Sequence, residues 1–88
     1  MSDNVDILNK TYSINCTQQL ELFDIKGEIP KEIFKLKNLR ILKLRGSGLY
    51  GPIPGEIEKL KNLNHLDFSF NKLSGFIPKE LFNLKKLV

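Results

Sequence analysis

The 88-residue chain has few of the residues from which catalytic and metal sites are usually built. It has no tryptophan, a single histidine, His65, and a single cysteine, Cys16. One cysteine cannot form an internal disulfide, and Cys16 and His65 are too few ligands for a zinc site. No apolar run approaches the length of roughly 18 residues that indicates a membrane-spanning helix. We therefore expect one small domain with no cofactor, no metal and no membrane span, because a chain this short cannot enclose two cores.

What the sequence does contain is a 24-residue repeat. Shifting the chain by one such period superimposes six columns in which the same residue type occurs three times. A repeat of this kind indicates units that cannot bury their apolar sides alone and must stack on one another. The columns are Gly27, Gly51 and Gly75; Ile29, Ile53 and Ile77; Pro30, Pro54 and Pro78; Glu32, Glu56 and Glu80; Leu36, Leu60 and Leu84; and Leu39, Leu63 and Leu87.

Each unit changes from the periodicity of a strand to that of a helical turn. Leu42 and Leu44 alternate with polar residues, which predicts a strand with one buried face. The proline of each unit prevents a regular α-helix from running through that point. Beyond it, apolar residues are spaced by three, as in Ile33, Leu36 and Leu39, which favours a 3₁₀ turn or one to two helical turns.

These features resemble the plant-type leucine-rich repeat, L-x-x-L-x-x-L-x-L-x-x-N-x-L-x-G-x-I-P-x-x. Residues 63–87, LNHLDFSFNKLSGFIPKELFNLKKL, agree with that pattern at almost every position. The resemblance implies an α/β fold, a short solenoid with a parallel β-sheet on its concave side and short 3₁₀ or helical turns on its convex side. It implies minor strands near residues 49–51 and 73–75, an N-terminal capping segment over residues 1–16, and three repeats over residues 17–88 with no C-terminal cap. Members of the family bind proteins or peptides without catalysis, so we expect a protein or peptide partner and no enzymatic activity.

The first two units depart from the family pattern. The asparagine that bonds the backbone of the neighbouring turn is present only as Asn71, and the shift by one period puts Ser47 and Phe23 in its place. A continuous asparagine ladder is therefore excluded. The same shift puts Gln18 where the first strand leucine belongs, which suggests that the first unit is a modified edge.

Residues 12–16, YSINC, resemble the last strand of the family's N-terminal cap, but the upstream cysteine partner is missing. A cap without its disulfide fits a reducing compartment, so we expect a cytoplasmic location. We expect Cys16 itself to be buried, since a free cysteine behaves as a small hydrophobe.

Strand alternation predicts which side chains face solvent on the concave side and form the partner-binding face. With a uniform period, Glu21 lies beside Arg45 and Lys43 lies beside Asp67. Either these are plain cross-strand charge pairs, or the surface that they form binds a partner. The residues assigned to this face are Thr17, Gln19 and Glu21 on the first strand, Ile41, Lys43 and Arg45 on the second, and His65, Asp67 and Ser69 on the third.

The row of His65, Asp67 and Ser69 invites a catalytic interpretation, which we reject on spacing. Side chains at i and i+2 of one strand lie about 7 Å apart, too far for direct proton transfer. The convex turns are rich in lysine, among them Lys35 and Lys59, but glutamates such as Glu32 and Glu56 are interleaved with them. We expect a solvated face there and do not expect nucleic acid as a partner.

The third unit contains four of the six phenylalanines, and we expect no further unit to cover it. We expect six apolar side chains to be left uncovered beside an unpaired strand edge, namely Leu66, Phe68, Leu73, Ile77, Leu81 and Leu84. Such a surface predicts self-association, most simply as a homodimer. The alternatives are a fragment of a longer solenoid and a single molecule whose edge stays exposed to water. A purely structural protein whose role is homo-oligomerisation is the alternative function. The predicted self-association residues are Phe68, Phe70, Phe76, Phe82 and Leu87.

Overall fold

Two parallel sheets organise the chain. The computed structural model describes residues 3–46, 48–69, 71–74, 79 and 84. An N-terminal antiparallel hairpin, β1–β2, precedes a parallel sheet of order β3-β5-β7 and a second parallel sheet of order β4-β6-β8. The strands are β1 (Asn4–Ile7), β2 (Lys10–Ser13), β3 (Gln19–Phe23), β4 (Lys26–Gly27), β5 (Ile41–Arg45), β6 (Gly48–Gly51), β7 (His65–Asp67) and β8 (Lys72–Leu73).

Short 3₁₀ helices follow the minor strands in the first two units, as the three-residue apolar spacing predicts. They span Lys31–Lys35 and Gly55–Lys59. Each begins directly after a proline in extended conformation, Pro30 with φ −64° and ψ 125° and Pro54 with φ −65° and ψ 143°. The fixed φ of proline suits a helix start, and its lack of an N–H does no harm there.

One core of leucine and isoleucine side chains fills the space between the main sheet and the 3₁₀ helices. Full burial of a leucine or isoleucine side chain contributes about 1.5–3 kcal/mol, so this column-by-column stacking is the main favourable term. The hairpin closes one end of the core with Val5 and Ile7, and β1 packs on the first 3₁₀ helix. The described side chains that are less than 2% exposed are Ile7, Ile33, Leu36, Leu39, Leu42, Leu44, Leu49, Ile57, Leu60 and Leu63.

The strand register departs from the uniform period. Ile41 pairs with His65, one full period further on, but Gln19 pairs with Ile41, which is two residues short of a period. The shortening lies in the first turn: two residues separate Leu22 from the buried Ile25, whereas four separate Leu44 from the buried Leu49. Asp24, with φ 57°, makes this tighter turn in the left-handed region that Asp tolerates better than most residues.

This register corrects four predictions about the first unit. The strand-leucine position is filled by Leu20, which pairs with Leu42, and not by Gln18. Thr17 lies before β3 and is not one of its face residues, and Phe23 is not in the asparagine position but ends the strand opposite Arg45. Glu21 consequently lies beside Lys43 and not beside Arg45, whereas the predicted pairing of Lys43 with Asp67 is confirmed.

Asn71 bonds the neighbouring turn as predicted. Its side-chain Nδ2 donates to the carbonyl oxygen of Leu44 at 2.6 Å, and its Oδ1 accepts from the N–H of Leu49 at 3.3 Å. Nδ2 also lies within bonding distance of the carbonyl oxygens of Phe68 and Ser69, at 3.0 and 3.2 Å. One partly buried amide therefore joins the turns of two units.

The prediction that Cys16 is buried is wrong. The residue is exposed because it lies in the turn between β2 and β3, where its backbone N–H donates to the Ser13 hydroxyl at 3.1 Å. Tyr12 and Ile14 pack against the core in its place.

In the third unit the described residues confirm only part of the expected uncovered surface. Leu66, Phe68 and Leu73 are partly buried and pack against the core. Leu84 is 4% exposed, so the expectation that it is uncovered is wrong; it shares the column of the buried Leu36 and Leu60. Six of the residues named in these predictions, Phe70, Phe76, Ile77, Leu81, Phe82 and Leu87, lie outside the described residues. None of the helices within the described ranges has the length and apolar character that crossing a membrane requires.

Candidate functional site

The solvent side of the β3-β5-β7 sheet carries three rows of side chains, which we call the sheet face. Strand pairing places Gln19, Ile41 and His65 in the first row and Glu21, Lys43 and Asp67 in the second. Phe23 and Arg45 form the third. Parallel strands lie about 4.8 Å apart, so members of a row are direct neighbours. The predicted face residues from β3, β5 and β7 are thus brought together, in rows that the shortened first turn has shifted.

Charge alternates across the second row. Glu21 is negative, Lys43 positive and Asp67 negative, so each strand presents the opposite sign to its neighbour. Arg45 adds a diagonal ion pair, with its Nε 3.6 Å from Oδ2 of Asp67. Both side chains keep part of their surface in solvent, so the pair contributes little to stability and mainly fixes where the charges stand.

Ser69 lies beyond the end of β7 and turns back onto Asp67. Its N–H donates to Oδ1 of Asp67 at 2.9 Å, and its hydroxyl donates to the same oxygen. The pKa of Asp67 lies below its ordinary value, and the largest cause is the hydrogen bond from the Ser69 hydroxyl. The hydrogen bond from the Ser69 N–H and the electrostatic effects of Arg45 and His65 lower the pKa further. The expected separation of the Asp67 and Ser69 side chains is therefore wrong, because the strand ends between them. The contact has the form of a local turn, in which the carboxylate caps the chain that follows it.

Phe23 is the residue of the sheet face that a uniform repeat period misses. It is 60% exposed at the carboxyl end of β3, beside Arg45. Aromatic and arginine side chains are enriched at protein interfaces, and strand pairing makes these two residues neighbours on the sheet face. Aligning the L-x-L pair Leu20 and Leu22 with Leu42 and Leu44 would have found it.

A shallow polar pocket borders the sheet face at the amino ends of the strands. Its volume is about 230 Å³ and the sequence analysis did not foresee it. A second cavity of about 220 Å³ shares lining residues with it and includes Gln19 and Ile41 of the first row. Within the lining there are four carboxamides and one guanidinium, from Gln18, Asn38, Arg40, Asn62 and Asn64.

The side of the molecule that carries the 3₁₀ helices mixes both charges, as the sequence indicates. Lys31 of the first 3₁₀ helix lies 3.9 Å from Glu56 of the second, and both side chains are well exposed. Among the described residues, no group of three His, Cys, Asp or Glu side chains could hold a metal ion.

Known proteins share this architecture. The family model described as Leucine Rich Repeat matches residues 62–84. The structure of a plant ice-binding protein is 43% identical over 80% of this chain, with a TM-score of 0.72. The chain is a plant-type leucine-rich-repeat solenoid. Among curated protein sequences, none matches the solenoid.

Two plant receptors resemble the solenoid to a similar extent over 80% of its length. The plant peptide hormone receptor RGFR1, solved in complex with RGF2, is 43% identical with a TM-score of 0.70. The ectodomain of the Arabidopsis receptor kinase HAESA, solved with an extended IDA peptide hormone ligand, is 39% identical with a TM-score of 0.72. The solenoid spans only 12% of each receptor chain and 24% of the ice-binding protein.

Proposed function

We propose that the solenoid binds a protein or peptide through the sheet face, without catalysis. The observation that carries this proposal is the third row, where the exposed ring of Phe23 stands beside Arg45. The row of alternating charge next to it supplies orientation, since charge complementarity selects partners more than it adds affinity. The two receptors that resemble the solenoid were solved with peptide hormones, which supports a peptide as partner.

The size of the sheet face fits a short segment better than a folded protein. Eight side chains on three strands form a small surface, well below the roughly 20–30 residues that each side of a standard protein interface contributes. An extended peptide can cross the three strands and place one anchor residue against Phe23. Exposed aromatic and arginine side chains commonly supply most of the energy at such a site.

A displayed library of random peptides, selected on the 88-residue chain, tests this proposal. Peptides selected on the wild type should lose at least about tenfold in affinity for Phe23→Ser, as expected for an aromatic hot spot. Tyr50→Ser is the matched control, because Tyr50 is similarly exposed, at 56%, but belongs to the minor strand β6. Peptides that bind Phe23→Ser as well as the wild type, or that depend on Tyr50 instead, would contradict the proposal.

A second surface supports self-association of the third unit. Three apolar positions that are less than 2% exposed in the second unit are only half-buried in the third. Half-buried apolar side chains beside the outer edge of β7 favour contact with a second copy, most simply as a homodimer. The positions are Leu42, Leu44 and Leu49 in the second unit and Leu66, Phe68 and Leu73 in the third.

Sedimentation velocity at rising micromolar concentrations tests self-association. We expect a shift from monomer toward dimer, unaffected by Phe23→Ser on the sheet face. A single 10.1 kDa species at all concentrations would remove the proposal.

A further inference from the structure

In the part of the chain that the structure describes, one edge of β3 is unpaired. Among the described residues, β3 pairs only with β5, and the hairpin β1–β2 forms a separate sheet that packs on the first 3₁₀ helix. A strand edge of this kind offers backbone donors and acceptors to any extended chain that lies alongside it.

The hydrogen bonds of β3 identify which backbone groups point outward. The carbonyl oxygen of Gln18 accepts from the N–H groups of Arg40 and Ile41, at 2.8 and 3.1 Å, so Gln18 points toward β5. Backbone direction alternates along a strand, and Leu20 and Leu22 therefore point toward β5 as well. The N–H and C=O groups of Gln19, Glu21 and Phe23 point away from β5 over a length of about 13 Å.

The side chains of the same three residues specify what could pair there. Glu21 ends the row of alternating charge, in which Lys43 and Asp67 follow it. A residue added on the outer side of Glu21 continues the alternation if it is basic, and opposite charges on neighbouring strands are favourable. Phe23, 60% exposed, gives the added strand an apolar contact at its end.

We propose that the free edge of β3 receives an extended peptide as a fourth strand of the main sheet, with a lysine or arginine opposite Glu21. Binding by strand addition takes its affinity from backbone hydrogen bonds and its specificity from alternate side chains. The site differs from the sheet face in using the backbone edge of β3, so that the peptide lies beside the sheet and not across it, but it shares the side chains of Glu21 and Phe23 with that face. It does not rest on the proposed function.

A second copy of the chain is a poorer occupant of this edge. In a two-fold pairing of two β3 strands centred on the middle residue, Glu21 would face Glu21 of the other copy. Like charges directly opposite one another are destabilising, and a charge in the middle of an edge strand is a common protection against self-pairing.

The experiment uses two synthetic five-residue peptides, acetyl-Thr-Val-Lys-Val-Thr-amide and the same peptide with glutamate in the central position. Amide hydrogen exchange of the full chain is followed by NMR with and without each peptide. The lysine peptide should slow exchange at Gln19, Glu21 and Phe23, and leave Leu20 and Leu22 unchanged, because those two already face β5. It should bind about three- to tenfold more tightly than the glutamate peptide, since a favourable cross-strand charge pair is replaced by an unfavourable one.

Charge reversal provides the matched controls. Glu21→Lys should reverse the preference so that the glutamate peptide binds more tightly, whereas Glu32→Lys, at an exposed position of the first 3₁₀ helix, should not. Absence of protection at the three amides with the lysine peptide in millimolar excess would overturn the proposal. Binding that perturbs Lys43 and His65 but protects none of the three amides would overturn it while supporting the sheet face. Protection that rises with protein concentration alone would assign the edge to a second copy and would also overturn it.

Discussion

Removing the side chain of Asn71 should destabilise the solenoid more than any other substitution of a single partly exposed asparagine. The amide donates to Leu44 of the second unit and accepts from Leu49, so its loss leaves one carbonyl and one N–H of that unit without their partner. A buried polar group left without a partner costs about 1–3 kcal/mol, and water can reach part of this site. We therefore expect Asn71→Ala to lower the free energy of unfolding by about 2–3 kcal/mol.

A second substitution, Asn71→Asp, tests the same hydrogen bonds through its stability relative to Asn71→Ala. Asn71→Asp keeps an oxygen for the N–H of Leu49 but replaces the donor with a carboxylate oxygen that faces the carbonyl of Leu44. Because two acceptors then face one another, the aspartate variant should be less stable than the alanine variant at neutral pH. Asn38→Ala is the control, since Asn38 makes one exposed bond, from Nδ2 to the Asn15 carbonyl at 2.8 Å, worth about 0.5–1.5 kcal/mol.

Urea unfolding followed by circular dichroism measures these differences, with thermal unfolding as a second readout. For a chain of this size, 1 kcal/mol corresponds to roughly 4–8 °C in the melting temperature, so Asn71→Ala should melt at least ~8 °C below the wild type. An alanine variant within about 0.5 kcal/mol of the wild type, or an aspartate variant as stable as the wild type, would refute the idea that this amide joins the two units.

Two further predictions concern a glycine and a titrating carboxylate. Gly48→Ala should lower the free energy of unfolding in urea more than Gly27→Ala, because a Cβ at Gly48 would overlap the carbonyl oxygen of Ile25. A Cβ at Gly27 meets no atom within 4 Å, so the only cost there is the positive φ of 99°. Equal losses of stability would contradict the close approach of β4 and β6. Since the Ser69 hydroxyl lowers the pKa of Asp67 in the folded chain, the stability it contributes is present above the unfolded value near 3.8 and lost as the pH falls through the folded pKa. Ser69→Ala should raise the pKa of Asp67, measured by carboxyl NMR titration, and weaken this dependence; an unchanged titration would contradict the assigned hydrogen bond.

The repeated columns predict the fold because the residues of each column occupy equivalent structural positions in successive units. Leu36 and Leu60 fill the same core position in successive units, and Pro30 and Pro54 start the same 3₁₀ helix. Equivalent positions at a fixed period predict that the units stack with their strands parallel, and the parallel main sheet confirms this prediction.

The sheet face could be predicted only in part, because its register depends on a turn and not on the repeat. Two residues fewer between Leu22 and Ile25 shift β3 against the columns that follow it. Phe23 is therefore on the face and Thr17 is not. The L-x-L spacing of Leu20 and Leu22 indicates the correct register of β3. The assumption of a uniform 24-residue period conceals this indication.

The exposure of Cys16 could not be predicted from its residue type. Free cysteine is among the most often buried residues, but here the side chains of Tyr12 and Ile14 pack against the core first. Tyr12 belongs to β2 and Ile14 directly follows it, so the β1–β2 hairpin places these two side chains against the core. The family pattern of the cap, which here lacks its disulfide, does not specify that hairpin.

Disulfide trapping tests the strand register most directly. In a chain that carries Cys16→Ser, paired cysteines at Glu21 and Lys43 should crosslink under mild oxidation, because neighbouring strands hold their Cα atoms about 4.8 Å apart, within the range a disulfide spans. Cysteines at Lys43 and Asp67 should do the same. Cysteines at Glu21 and Arg45 should not, since a diagonal pair lies beyond about 7 Å. Efficient crosslinking of positions 21 and 45, with none between 21 and 43, would contradict the shifted first strand and the sheet face built on it.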